Sequence, residues 1–393
     1  MQDLFKKIRL KRRVVTALAA LHFYGNPSTK LKIIGVTGTN GKTTTTTLLY
    51  KVATELGHKA GLIGTVENMI NSVVRPATHT TPDPISLNKL LSEMANKGCE
   101  YVFMEVSSHA IDQKRIAGIT FAGGVFTNLT HDHLDYHKSV ENYFNAKKKF
   151  FKMLLADAFA LSNADDEHGI LMLEGIKAKK YFYGLKNKAD FNEKLESQLL
   201  GDFNAYNALA VYATSVLLGF DKEKVKEILK TITPPRGRYE NFMSPTGVTV
   251  IVDYAHTPDA LENVLRTTKN IRKGDAKIIT VFGCGGDRDP LKRRIMGKIG
   301  ATNSDIAIFT SDNPRSENPE KIIAEMKTDL SMNDIAKVKT IPDRREAIKE
   351  SVKIAQSGDI ILCAGKGHED YQEIKGVKHH FSDMEEYKKL YAK

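Results

Sequence analysis

A chain of 393 residues with 41% hydrophobic side chains can bury more than one core, so two or three domains are expected. Its formal charge of +11 suits anionic partners, yet the lysines lie along amphipathic segments, and solvated helix faces plus a polyanionic small substrate explain the charge better than nucleic acid does. Cys99, Cys284 and Cys363 are odd in number and lack metal spacing, which excludes a disulfide framework and a zinc site and points to a reducing compartment.

Along the chain, short apolar runs alternate with amphipathic stretches, the pattern of βαβ units around a mostly parallel sheet. Residues 1–31 read as a lead-in helix, too short for a domain. Strands are predicted at "KIIGVTG", "YVFMEVS", "GGVFTN", "AFALSN" and "KKYFYG", with helices over 43–56, 140–154, 204–218 and 222–232. The Pro/Gly-rich "TPPRGRYENFMSPTG" breaks the periodicity, so a domain is expected over 32–235 and another over 236–393. The second carries "VTVIVDYA", "KIITVFG", "DIAIFTSD" and "DIILCAG" as strands and a helix over 319–330. Neither a signal-peptide core nor an apolar run of about 18 residues is found, so a soluble cytoplasmic protein with no membrane partner is expected.

"IIGVTGTNGKTTTT" runs from a β-branched strand through a glycine-rich turn into a helix, which aims backbone N–H groups and a helix start at one spot suited to phosphate. Lys42 is placed to touch the β- and γ-phosphates, and the Thr43 hydroxyl to help hold Mg²⁺. The loop is a variant, because Val36 occupies the place of the usual first glycine and Gly35 and Gly38 flank it.

"FMEVSSHAIDQKR" sets Glu105 and Ser107 at the end of a buried strand, where open α/β sheets bind ligands. "FTNLTHDHLDYH" offers Asn128, His131, Asp132, His133 and Asp135 at the next strand end, a density that suits a polyphosphate–metal site. In "YFNAKKKFF", Lys147 shares a helical face with Tyr143, Phe144, Phe150 and Phe151. It is therefore the inward lysine, where desolvation favours a neutral amine. The alternative is a lysine whose stem covers apolar surface while its ammonium reaches water; periodicity leaves both open.

In the second half, Asp253 and His256 follow a strand in "IVDYAHTPDAL", and "FGCGGDRDPLKRR" places Arg288 and Arg293 or Arg294 near a helix start, able to meet anions. "TSDNPRSENP" and "LCAGKGHEDYQ" end two more strands with Asp312, Asn313, Arg315, Gly365, Lys366, His368 and Glu369. Four polar strand ends in one sheet imply a ligand cleft facing the first domain. An arginine beside an acid suits a zwitterionic amino acid, with Arg315 or Arg288 for its carboxylate and Asp312 or Glu369 for its ammonium.

Together with "HTTPDP", "GDFNAYN" and "GRYE", these motifs resemble, in order and over nearly the whole chain, the Mur ligase superfamily. The resemblance is greatest to members that add meso-diaminopimelate to UDP-N-acetylmuramoyl-L-alanyl-D-glutamate. It implies a central P-loop ATPase-like α/β domain followed by a Rossmann-like C-terminal α/β domain that binds the amino acid.

The resemblance also implies ATP at Gly38, Thr39, Asn40, Gly41, Lys42, Thr43 and Thr44, with Asn204, Asn207 and Arg238 toward adenine and ribose, and Asp253 and His256 on the ATP side. Mg²⁺ would lie near Thr43, Glu105 and His133, and a second Mg²⁺ on a CO₂-derived carbamate of Lys147. Muramyl-dipeptide contacts map to Thr80, Thr81, Ser107, Gln113 and Arg115, and diaminopimelate contacts to Arg288, Asp312, Asn313, Pro314, Arg315, Gly365 and Glu369. Lys42, Glu105, His133 and Lys147 are the implied catalytic set. The implied chemistry is amide formation through an acyl phosphate, in peptidoglycan precursor synthesis, by a monomer.

One departure from the family is size: "MQDLFKKIRL" resembles the start of a uridine-nucleotide-binding domain and "VVTALAALHFYGNP" its exit, joined by "KRR". Most of that domain is therefore expected to be missing, with weakened affinity for the UDP end. Rival readings are a superfamily ligase with another acceptor such as L-lysine, or a non-catalytic binding relic. "DNPR" together with "HTTPDP" speaks for diaminopimelate.

Overall fold

The computed structural model describes residues 2–130 and 132–392. His131 and the side chain of Asp135 lie outside the described residues. Two compact units divide the chain, Met1–Ile232 and Thr233–Lys393.

The first unit opens with α1 (Gln2–Phe23), β1 (Lys32–Thr37), α2 (Lys42–Glu55), β2 (Ala60–Ile63), β3 (Asn68–Ile70) and β4 (Val73–Arg75). It continues through α3 (Pro84–Asn96), β5 (Tyr101–Glu105), α4 (Ser108–Asp112), β6 (Gly123–Phe126), α5 (Leu134–His137), α6 (Val140–Met153) and β7 (Phe159–Asn163). After α7 (Gly169–Met172) and β8 (Lys179–Tyr183), it closes with α8 (Asp202–Leu217) and α9 (Lys222–Thr231). Its eight strands run in the order β4-β3-β2-β5-β1-β6-β7-β8. The pairs from β2 to β8 are parallel, and β3 and β4 add an antiparallel edge.

The five expected strands of this half are the interior and far edge of that sheet. Their near-continuous apolar runs are what a sheet covered on both faces requires. One core packs Val102, Met104, Phe126 and Phe150, and the other packs Ile34, Leu48, Phe103 and Leu209. The antiparallel edge was not among the expected strands. Three-residue strands are too short for periodicity to register.

Local chemistry sets the helix starts. Asp83 accepts from the backbone N–H groups of Ile85 and Ser86 ahead of Pro84, and Ser139 accepts from Asn142 N at the start of α6. Along α6, Tyr143, Ala146, Lys147, Phe150 and Phe151 are buried, a stripe at the three-and-four spacing of an inward helix face.

The second unit contains β9 (Glu240–Met243), β10 (Thr249–Asp253), α10 (Pro258–Ile271), β11 (Ile278–Phe282), α11 (Leu291–Asn303), β12 (Ile306–Phe309) and α12 (Pro319–Met326). It ends with α13 (Met332–Ile335), β13 (Val338–Thr340), α14 (Arg344–Ile354), β14 (Ile360–Ala364), the hairpin β15 (Tyr371–Ile374) and β16 (Val377–His380), and α15 (Asp383–Tyr391). Its sheet has the order β13-β12-β11-β14-β10-β9, parallel except for β9. The helix expected over 319–330 stops at Met326. Among the described residues, no helix is long and apolar enough to cross a membrane.

Candidate active site

In the first unit, β1 lies between β5 and β6, and the carboxyl ends of these three strands carry the loops that hold most of the expected site. The connection after β1 runs to β2, on the β5 side, whereas that after β6 runs to β7 on the other side, so a crevice opens between them. The phosphate loop, residues 38–41, fills it. Gly41 caps α2 at φ 83°, and the helix start carries no side-chain cap, which leaves that end chemically suited to an anion.

Two glycines are sterically required. A Cβ on Gly41 would sit 2.5 Å from Asn207 Oδ1, and one on Gly38 would sit 1.8 Å from Thr127 Oγ1. Asn207 is thus packed behind the loop; its Nδ2 donates to Asn204 Oδ1 at 3.0 Å, and Asn204 Nδ2 to Leu200 O at 2.9 Å. Lys42 Nζ donates to the loop carbonyls of Gly38 and Thr39 at 2.9 and 2.7 Å. Asn40 N donates to Asn128 Oδ1 at 2.9 Å, so the loop is tied to the end of β6.

Glu105, fully buried at the end of β5, is the acidic centre. Its Oε1 accepts from Thr43 Oγ1 at 2.9 Å and from Thr65 N at 2.7 Å, and its Oε2 from Thr65 Oγ1 at 3.1 Å. Thr65, which follows β2, was not singled out in the sequence; its only signal was a position one residue beyond "AGLIG". The pair of Thr43 hydroxyl and Glu105 carboxylate supplies the hard oxygen donors that Mg²⁺ prefers.

Lys147 is 1% exposed. Its Nζ donates to Gly38 O at 2.7 Å and lies 4.3 Å from the centre of the Tyr143 ring. Loss of hydration, and then the charge of Lys42, hold its pKa well below the usual lysine value. Its neighbours in sequence differ: Lys148 is half-buried and Lys149 exposed. Burial against the phosphate loop therefore favours the uncharged form of this amine. His133 stands beside Asp132, its Nε2 3.5 Å from Oδ2. It has φ 54°, and its ring lies 6.0 Å from that of Tyr143. Among the described residues no preformed group of three His, Cys, Asp or Glu side chains could hold a metal ion.

The expected dipeptide contacts form one network beside Glu105. Thr81 Oγ1 donates to Glu105 O at 2.8 Å and accepts from Ser107 N at 3.1 Å. Arg115 donates through Nη1 to Thr81 O at 2.8 Å and through Nη2 to Gln113 Oε1 at 2.8 Å. Thr80 joins through Thr65, their two hydroxyl oxygens lying 3.0 Å apart.

In the second unit the four polar strand ends do fall in one parallel sheet. Asp253 accepts from Tyr239 N and Ala255 N, both at 2.8 Å. Burial raises its pKa, and Arg238 works against that rise. The Arg238 guanidinium lies over the Tyr254 ring at 4.8 Å, with His256 and His368 against the same ring at 4.5 and 4.9 Å. Arg238 Nε and His368 Nδ1 are buried without a hydrogen-bond partner, the state expected of groups that await a ligand.

Around the "DNPR" turn, Asn313 Nδ2 donates to Glu369 Oε2 at 2.9 Å, and Arg315 Nη1 to Gly286 O at 2.7 Å. The hairpin braces the turn: Gln372 Nε2 donates to Asp312 O at 2.7 Å, and Glu373 N to Asn313 Oδ1 at 2.9 Å. No sequence signal marked Gln372 or Glu373. Arg288 is exposed, and Gly365 is so close to Asp312 that a Cβ there would sit 2.7 Å from Oδ2. Pro314 lies under Gly286, whose Cβ would meet its carbonyl. The sequence reading of Arg293 as an anion-binding candidate is overturned. Its side chain is 1% exposed and bound to Glu317 at 2.7 Å and Glu325 at 2.8 Å, a structural anchor for α11.

Residues 36–215 match the Mur ligase middle domain, and residues 237–367 the Mur ligase glutamate ligase domain. A UDP-N-acetylmuramoyl-L-alanyl-D-glutamate--2,6-diaminopimelate ligase of Cytophaga hutchinsonii is 56% identical, the match covering 93% of this chain and 79% of that protein. The chain belongs to the Mur ligase family. The enzyme of the same name from Bacteroides fragilis is 53% identical over 95% of this chain and 81% of its own length. A solved structure of a ligase of that name superposes with a TM-score of 0.66 at 36% identity, covering 92% of this chain and 78% of that one. Within the Mur ligase fold, the expected central ATPase-like and C-terminal α/β domains are both present.

Proposed function

We propose that this chain is an ATP-dependent ligase that joins meso-diaminopimelate to UDP-N-acetylmuramoyl-L-alanyl-D-glutamate, a cytoplasmic step of peptidoglycan precursor synthesis. The substrate names come from relatives more than half identical. The observation that carries the reaction class is the buried Thr43–Glu105 contact beside a phosphate loop against which the Lys147 amine is also packed.

In this reading, residues 38–44 cradle the ATP phosphates, and Lys42 leaves its loop carbonyls to offset charge as a substrate carboxylate attacks the γ-phosphorus. The bond from the γ-phosphorus to the bridging oxygen breaks and ADP leaves; the acyl phosphate so formed is attacked by the acceptor amine, which gives up a proton as phosphate leaves and the amide forms. Thr43 and Glu105, with His133, would hold one Mg²⁺, and a carbamate on Lys147 a second. Bound metal supplies positive charge against the phosphate oxygens. Two bonds from Thr65 hold Glu105 in place.

The dipeptide end is assigned to Thr80, Thr81, Ser107, Gln113 and Arg115, whose network adjoins Glu105. In the first unit Asn204 and Asn207 are assigned to ATP; in the second unit Arg238, Asp253 and His256 are assigned to ATP as well, and the unpartnered Arg238 Nε supports a ligand in that unit. Arg288, Asp312, Asn313, Pro314, Arg315, Gly365 and Glu369 are assigned to the amino acid.

The test is phosphate release with ATP, Mg²⁺, UDP-muramyl dipeptide and diaminopimelate, with L-lysine as the competing acceptor. Release that requires diaminopimelate and yields the tripeptide product is expected. Release with lysine alone, or none with either acceptor, would overturn the reading.

A further inference from the structure

Two turns of the second unit carry the arginines assigned to the amino acid, and one buried side chain joins them. The glycine turn after β11 leads to Arg288, and the turn after β12 carries Arg315. A Cβ on Gly285 would sit 3.1 Å from Arg315 Nη1 and 3.7 Å from Arg288 Cγ, so both side chains pass the same glycine. Their spacing depends on how the two turns are fastened.

Arg293, near the start of α11, is 1% exposed. Its Nη1 donates to Glu317 Oε2 at 2.9 Å and Glu325 Oε2 at 2.8 Å, and its Nη2 to Glu317 Oε1 at 2.7 Å and Gly285 O at 3.3 Å. One guanidinium therefore holds the glycine turn, the segment that follows "DNPR", and α12. Glu317 Oε1 also accepts from Asp287 N, and the Asp287 carboxylate accepts from Ser316 N at 3.2 Å and Ser316 Oγ at 2.6 Å. Asp287 directly precedes Arg288 and has φ 52°, a left-handed backbone that persists only where its surroundings hold it. Arg315, at φ 51°, is tied to the same glycine turn, its Nη1 donating to Gly286 O at 2.7 Å. The bond to Glu325 is enough to anchor α11 against α12. Those to Gly285 O and, through Glu317, to Asp287 N reach instead into the arginine-bearing turn.

Resting on the functional reading above, we propose that Arg293, acting through Glu317, is a positioning residue that fixes the spacing of Arg288 and Arg315 for the acceptor's carboxylate. A guanidinium grips a carboxylate through N–H bonds of fixed direction, so displacing either arginine loses acceptor affinity. Lysine in place of Arg293 keeps the charge beside Glu317 but lacks the planar fork that reaches Glu317, Glu325 and Gly285 O together.

The experiment measures KM for diaminopimelate, ATP and the dipeptide substrate in the full chain and in Arg293→Lys, each with the other two substrates saturating. KM for diaminopimelate is expected to rise about tenfold, the scale of one lost charged hydrogen bond, with the other two unchanged. A brace for α11 alone would lower kcat through a smaller folded fraction and leave all three KM values as they were; that result, or an equal rise in all three, overturns the proposal. Glu317→Gln replaces one of the two oxygens that join Arg293 to Asp287 N and is expected to raise KM for diaminopimelate as well. It decides the matter if Arg293→Lys does not fold, and an unchanged value there overturns the proposal. An unmutated chain that uses no amino-acid acceptor refutes the functional reading, and the proposal with it.

Discussion

Lys147 Nζ reaches from α6 to the carbonyl of Gly38 in the phosphate loop, a 2.7 Å hydrogen bond across 109 residues of sequence. Desolvation keeps this amine's pKa well below that of an exposed lysine. The depressed pKa means that the unfolded chain binds this proton more readily than the folded one. Stability therefore rises with pH through the window that ends near the unfolded value of about 10.4. At neutral pH the buried lysine costs stability. In CO₂-free buffer, Lys147→Met is expected to raise the urea midpoint at pH 7 and flatten its rise toward pH 10, while ligase activity falls by at least about a hundredfold. Denaturation across that pH range, paired with product formation, checks both arms.

With bicarbonate and Mg²⁺ present, intact-mass analysis is expected to find one CO₂ on Lys147 and none on Lys148 or Lys149. An amine must be neutral to add CO₂, and of the three lysines only Lys147 is fully buried. Mass unchanged at Lys147 would remove the carbamate from the reading.

Acid should loosen the chain at a defined step. His137, whose Nε2 lies 3.0 Å from Ser108 Oγ, is pushed down to about 4 by burial and by His109. His368 is likewise pushed down to about 4, chiefly by burial and then by Arg238. Both are depressed relative to the unfolded value near 6.5, so the stability they contribute is present above pH 6.5 and lost as pH falls toward 4. His137→Asn should weaken that dependence in thermal melts recorded between those pH values.

Arg344 and Asp383 are a fully buried ion pair, with Nε to Oδ1 at 2.7 Å and Nη2 to Oδ2 at 2.8 Å. The same guanidinium donates to Ser311 O and Ala364 O, tying the ends of β12 and β14 from which Asp312 and Gly365 project. Arg344→Met leaves a buried carboxylate unpaired and is expected to cost about 3–5 kcal/mol in urea denaturation. Arg344→Met/Asp383→Leu should recover most of that.

Arg115→Ala removes the donor that holds Gln113 and the Thr81 carbonyl together. A charged hydrogen bond contributes about 1.5–3 kcal/mol, so KM for the dipeptide substrate is expected to rise about tenfold or more, with KM for ATP unchanged. Equal changes in both would remove Arg115 from the dipeptide site.

Much of this was legible along the chain. Near-continuous apolar strands announced the parallel sheets, and a lysine with aromatics three and four residues away announced which of Lys147, Lys148 and Lys149 turns inward. These are local periodicities, and burial enforces them wherever the segment lands. Other features were not legible. Arg293 read as an anion site until Glu317 and Glu325, 24 and 32 residues away, turned it into an anchor. Thr65 became a support for Glu105 only because β2 lies beside β5 in the sheet, and Lys366 is buried against Asn313, 53 residues away. A charged side chain's role is set by what remains after its neighbours have matched its hydrogen bonds and its charge. Those neighbours come together only when strands distant in sequence pair.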